Sequence, residues 1–152
     1  MSETRFAPTN ELISSQIATG MSAAQGSVLA AEAVCKNFSD GEVIVDDEDT
    51  SNDLLVLLSG RAQVQGLFEQ EVNTVEAGSV LGEVAFLDGQ PRSATVLSIG
   101  DSRCAFFNSA LLQKLQAEHP DVAAIMLQNL ALSLATKLRS TMRMINALTM
   151  NE

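Results

Sequence analysis

Gly82-Glu83-Val84-Ala85-Phe86-Leu87-Asp88-Gly89-Gln90-Pro91-Arg92-Ser93-Ala94-Thr95-Val96 places an acid, Glu83, and a base, Arg92, in an apolar context bracketed by glycines. Glu83 to Leu87 reads as one short helical turn, and the free N–H groups at a helix start are donors suited to an anion. Arg92 follows an Asp-Gly turn, whose residues supply the backbone geometry of tight turns. A guanidinium grips two phosphate oxygens through paired N–H bonds, whereas a carboxylate accepts from hydroxyls. Acid and base together suit a phosphorylated sugar.

The residues around this stretch set its architecture. From Glu32 onward, short apolar runs alternate with turn clusters: 33–38, 43–45, 54–58, 62–67, 72–75, 94–98 and 104–107. That spacing predicts strands. The turns between them are Ser39-Asp40-Gly41, the acidic loop Asp46 to Asp53, Ser59-Gly60, Glu76-Ala77-Gly78 and Gly100-Asp101. From Ser109 the period becomes helical, first over 109–117 with Ser109 as cap, then from Pro120 to about Ala147 with proline in the first turn. Before the strands, residues 1 to about 10 read as a lead, followed by a helix over 11–24 with Asn10 as cap and Leu12, Ile13 and Ile17 on one face. Gly20 and Gly26 weaken that helix.

The Gly82 to Thr95 stretch resembles the phosphate-binding cassette of the cyclic nucleotide-binding domain family, with a Glu-to-Arg spacing similar to that of protein kinase A regulatory subunits. The stretches Gly41-Glu42-Val43-Ile44-Val45, Asn52 to Val64, Gly78 to Glu83 and the helix from Pro120 to Arg139 resemble successive landmarks of the same family. The resemblance covers roughly residues 33 to 143. It implies an α+β fold: an antiparallel β-roll or jelly roll with an N-terminal helical segment, a short phosphate-binding helix and C-terminal lid helices. Residues 1–30 are then a lead and helix, and 31–152 the binding domain with its C-terminal helices.

By the same resemblance Glu83 accepts from the ribose 2′-hydroxyl and Arg92 pairs with the cyclic phosphate. Gly82, Val84 and Ala85 contribute backbone N–H groups, and Ser93 and Ala94 contact phosphate or base. The lid helix caps the base, which nominates Thr136, Lys137, Ser140 and Thr141 as base contacts. The ligand implied is a cyclic mononucleotide, cyclic AMP ahead of cyclic GMP, although Ser93 leaves that choice open. Two departures stand out: the family commonly has a glycine near Glu48 and an aromatic near Leu55, and its N-terminal helical bundle is not evident in residues 1–30.

Composition sets the outer limits. The chain has 152 residues, 46% hydrophobic and 18% charged, enough for a core without staples. A formal net charge of −10 argues against nucleic acid and acidic lipid as partners, since both require basic surface. No stretch approaches a membrane span and the N-terminus lacks a secretory pattern. Cys35 and Cys104 sit among apolar residues with no metal spacing, which points to reduced thiols and a cytoplasmic setting. The acidic run Asp46-Asp47-Glu48-Asp49 lacks the alternation and glycine of a calcium loop and reads as solvated. With the one histidine, His119, beside Pro120 and no nucleophile with its base, the expectation is a binder that needs no cofactor or metal, not an enzyme.

Ala131, Leu134, Leu138, Thr141, Ile145 and Leu148 recur at heptad spacing along the last helix. That stripe outlasts what one small domain covers, so the expectation is a homodimer formed through the end of this helix. The expected mechanism is closure of the cassette on the cyclic phosphate with movement of the long helix over the base. The sequence shows no helix-turn-helix after that helix, so the expected output is an unidentified effector protein, a changed dimer, or a parent protein from which this chain was cut. The alternative reading is a degenerate nucleotide-binding fold that serves as an interaction or dimerisation module without ligand.

Overall fold

The computed structural model describes residues 3–4, 9–65 and 71–150. Seven strands form one antiparallel sheet: β1 (Glu3–Thr4), β2 (Val34–Phe38), β3 (Val43–Val45), β4 (Leu54–Gln65), β5 (Glu71–Glu76), β6 (Val80–Leu81) and β7 (Thr95–Phe107). Its path runs β1-β2-β7-β4-β5, with β3 added on β7 and β6 on β4. Helices precede, interrupt and follow the sheet: α1 (Thr9–Ile13), α2 (Ala23–Ala30), α3 (Glu83–Asp88), α4 (Leu111–Glu118) and α5 (Pro120–Met150). This is the antiparallel β-roll with a short internal helix and C-terminal helices that the sequence implied.

The two long strands make the roll. Sequence reading placed turns at Ser59-Gly60 and Gly100-Asp101; the structure instead carries β4 and β7 straight through both sites. The reason is pairing between them. Their register shifts at Leu57/Ser59 and at Ser59/Arg61, so the extra residues are absorbed as bulges that bend the strands. Gly60, at φ 84°, lies so close to the Asp101 carbonyl and Ser102 that a Cβ would not fit. Beyond the bend the partners change: Leu55 and Val56 of β4 face β6, whereas Arg61 to Gln65 face β5.

Alternation along β4 builds two cores. Leu54, Val56 and Leu58 join Phe107, Met126, Leu130, Leu12, Ile17 and Leu29 beneath the helices. Leu55 and Leu57 join Phe38, Ile44, Val96 and Cys104 inside the roll. The two cysteines fall in different cores, on opposite faces of the sheet, and both are free thiols.

The N-terminal helix expected over 11–24 is broken. Residues 14 and 15 leave the helix after α1, a 3₁₀ turn covers Gln16–Ala18, and Gly20 adopts φ 86°. Ser22 then starts α2 with a capping box, its hydroxyl accepting from Gln25 N while the Gln25 side chain accepts from Ser22 N. Ser15 and Ser22 favour turns and caps over helix interiors, so local hydrogen bonding outweighed the apolar spacing. Nor does Ser109 cap α4: Asn108 Oδ1 accepts from Ala110 N and the helix begins at Leu111.

Helix α5 is longer than expected, reaching Met150. Val122, Ala123, Met126, Asn129 and Leu130 bury its first part, and Asn129 donates to the Ile17 and Thr19 carbonyls at 2.8 and 3.0 Å. Over residues 135–150 every residue is exposed. Among the described residues, no helix is long and apolar enough to cross a membrane.

Candidate functional site

The sharp turn at the start of α3 organises the site. Gly82 precedes the helix at φ 75°, a left-handed conformation that an L side chain adopts only at a cost. Gly89 ends it at φ 69°, its N–H donating to Ala85 O, and Asp88 Oδ1 accepts from Gln90 N to close the turn. Within the turn, Ala85 and Phe86 are buried and Glu83 is drawn in with them, 2% exposed. Ten residues later Arg92 returns over Gly82, donating to the Gly82 carbonyl at 3.3 Å and the Asp53 carbonyl at 2.8 Å. A Cβ on Gly82 would overlap Arg92 Nη1, so the glycine is needed for space as well as for its φ.

Glu83 and Arg92 line a cavity of about 410 Å³ at the open end of the roll interior. That is within the usual range for small-molecule sites. Gly82, Val84, Ala85, Ser93 and Ala94 line it beside the acid and base. Val45, Val64, Val75 and Val96 of the roll and Met144 of α5 add apolar lining. Val84 and Ala85 stand in the first turn of α3, where N–H groups have no intrahelical acceptor.

The charges are held in distinct ways. Burial pulls the Arg92 guanidinium below its usual value, while the Asp49 and Asp53 carboxylates oppose that shift. Burial likewise pushes the Asp53 carboxyl up, against the pull of Arg92 and Lys36. Arg92 is 8% exposed and its Nε is buried without a hydrogen-bond partner among the described residues. Such an orphaned donor is uncommon in a folded protein. Glu83 is paired: Lys137 of α5 donates to its Oε1 and also to the Val80 carbonyl at 3.0 Å.

Every residue of the expected ligand set in the cassette lines this one cavity, and from α5 so do Lys137, Ser140 and Thr141. Thr136 does not. One step around the helix from Lys137, it lines the neighbouring groove with Asn129 and Leu132, and its hydroxyl donates to the Leu132 carbonyl at 3.0 Å. Lys137, expected from sequence as a base contact, pairs with Glu83. Sequence reasoning missed Met144, the four valines and the Asp53 carbonyl. Valines on alternate strand positions carry no mark that distinguishes a cavity wall from a core, and a backbone carbonyl leaves no residue-type signal at all. The acidic loop ahead of the site uses its carboxylates locally, Asp46 Oδ1 accepting from Glu48 N and Asp49 Oδ1 from Ser51 N.

The sequence profile of the cyclic nucleotide-binding domain matches residues 35–119, which take in β2 through α4 and the whole cassette. The chain belongs to the cyclic nucleotide-binding domain family. It is 36% identical over 89 residues to a cGMP-dependent protein kinase of Plasmodium berghei, a match covering 59% of this chain and 10% of that one. It is 38% identical over 71 residues to a cAMP-dependent protein kinase regulatory subunit of Mucor circinelloides, covering 45% of this chain and 17% of that protein. The matches thus span less than a fifth of these curated relatives. Among solved structures, a cyclic nucleotide-binding domain from Methylobacillus flagellatus superposes with a TM-score of 0.84 at 22% identity, covering 91% of this chain and 83% of that one. That likeness concerns the fold.

Proposed function

We propose that this cyclic nucleotide-binding domain is a regulatory sensor that holds one cyclic mononucleotide in the Glu83–Arg92 cavity and signals through α5. The observation that carries the reading is Arg92: buried, lining the cavity, and with a donor left without a protein partner. A phosphate oxygen of the ligand satisfies a guanidinium in that position. Glu83 accepts from the ribose hydroxyl, the start of α3 with Ser93 and Ala94 frames the phosphate, and the base lies against the valines under Met144, Ser140 and Thr141. Adenine is preferred to guanine because the valines and Met144 that line the cavity would have to desolvate guanine's additional carbonyl and ring N–H. No residue constellation in the cavity serves hydrolysis, so the ligand is bound and released, not converted.

Signalling runs through α5 because that helix walls the cavity with one face and leaves its outer face uncovered. Leu138, Ile145 and Leu148 are 61%, 55% and 69% exposed and continue the heptad stripe. Arg139 and Arg143 lie off that line, so two copies can meet along it without opposing charges. A second copy covers this stripe, and ligand-dependent movement of α5 is passed to the dimer and to an effector protein in the cytoplasm.

Calorimetric titration of nucleotide-free protein with cyclic AMP and cyclic GMP tests the reading, with Arg92→Ala as the control variant. Removing a buried partner of a charged group costs about 2–5 kcal/mol, or roughly thirtyfold and upward in affinity. One-to-one binding that collapses in a folded Arg92→Ala protein is the expected result. Equal affinity in the two proteins would overturn the assignment of the site to Arg92, and no heat from either nucleotide on wild type would leave the ligand-free interaction module as the better account.

A further inference from the structure

Three ionised side chains line the cavity among the described residues: Glu83, Arg92 and Lys137. The first two come from the cassette and would cancel on their own. An anionic ligand entering such a site would meet no net attraction and would leave Glu83 beside its own negative charge. Lys137 changes that balance from outside the cassette. Its ammonium bonds Glu83 Oε1, and its side chain is 46% exposed where Glu83 is 2% exposed.

We infer that Lys137 is a positioning residue for the ligand: it neutralises Glu83, so that Arg92's charge remains for one anionic phosphodiester, and it makes docking of α5 and ligand binding interdependent. The inference rests on the function proposed above. A carboxylate has lone pairs for several donors, so Glu83 accepts from Lys137 and from a ribose hydroxyl at once. The ion pair therefore persists in the bound state rather than being displaced.

The link to α5 follows from where Lys137 stands. Over residues 135–150 it is the residue, among those described, whose side chain hydrogen-bonds outside α5; Thr136, Thr141 and Thr149 return their hydroxyls to the helix's own carbonyls. Its bond to Val80 O fastens α5 to β6 as well as to the cassette. Whatever docked α5 contributes to ligand affinity, the ligand returns to α5 docking by the same factor.

Cyclic AMP titrations of wild type, Lys137→Met, Glu83→Gln and the double variant test the coupling. With Lys137 partly exposed, the expected loss in Lys137→Met is about two- to fivefold. In the Glu83→Gln background the same change should lose little, because no carboxylate is left to neutralise, and Lys137→Arg should keep most of the wild-type affinity. An equal loss in both backgrounds overturns the inference. Amide exchange of residues 135–150 in the nucleotide-free proteins reads the latch without ligand: faster exchange in Lys137→Met is expected, and unchanged exchange refutes it. Wild type that binds no nucleotide, yet shows the exchange difference, would overturn the proposed function and leave the latch standing.

Discussion

Gly82 and Gly89 flank α3 with nearly the same backbone, φ 75° and 69°, but in different surroundings. Alanine at either position must hold a left-handed conformation, at about 1–2 kcal/mol. At Gly89 nothing lies within 4 Å of the added Cβ, so that strain is the whole effect. At Gly82 the Cβ overlaps Arg92 Nη1 and stands 3.1 Å from the Asp53 carbonyl and 3.3 Å from Leu55 Cδ1. Arg92 must then withdraw from one or both of its carbonyl partners, and a hydrogen bond to a charged group contributes about 1.5–3 kcal/mol. The expected destabilisation is about 3–5 kcal/mol for Gly82→Ala against about 1–2 for Gly89→Ala. Urea denaturation resolves the difference: with slopes of about 1–3 kcal/mol/M, the two midpoints separate by roughly 1 M. Cyclic AMP affinity should fall in Gly82→Ala and hold in Gly89→Ala, because only the former displaces the guanidinium. Equal midpoints for the two variants would refute the claim that Arg92 packs across Gly82.

The exposed stripe on α5 predicts a dimer by sedimentation equilibrium that Ile145→Glu converts to monomer without loss of the fold; a wild type that stays monomeric across concentrations would sink the interface. Cys104 predicts a pH effect. Burial pushes its thiol up to about 12 from 9.0, so between those values the unfolded chain has released a proton that the folded chain retains. Stability from this group is therefore intact below 9 and declines as pH rises from there toward 12. Urea midpoints on either side of 9 should fall more steeply for wild type than for Cys104→Ala, and parallel slopes would contradict the buried thiol.

How much of this was legible in the chain depends on distance along it. Glu83, Arg92 and the turn between them lie within one short stretch, and their spacing carried the family resemblance. The strand sequence and the helical change after Ser109 were legible for the same reason, since alternation and helical period are local patterns. The breaks at Ser59-Gly60 and Gly100-Asp101 were misread because the residues of a turn and of a bulge are the same; pairing of β4 with β7 decides between them. The helix expected over 11–24 failed on a local competition, in which Ser22 and Gln25 offered a better cap than the interior offered a helix.

By itself the sequence determined that this protein is an antiparallel roll followed by helices, with one acid and one base set by a glycine-bracketed turn. Hydrophobic period and turn chemistry act over a few residues, so they can be read in order. Only the tertiary structure decided what those two charges meet: Arg92 anchored on a carbonyl 39 residues away and Glu83 paired with a lysine 54 residues away. It also decided that Lys137 faces the cavity while Thr136, its neighbour, does not. The rotation of α5 about its axis is set by the burial of Met126, Asn129 and Leu130 against the roll and the N-terminal segment, and no residue near Lys137 encodes it.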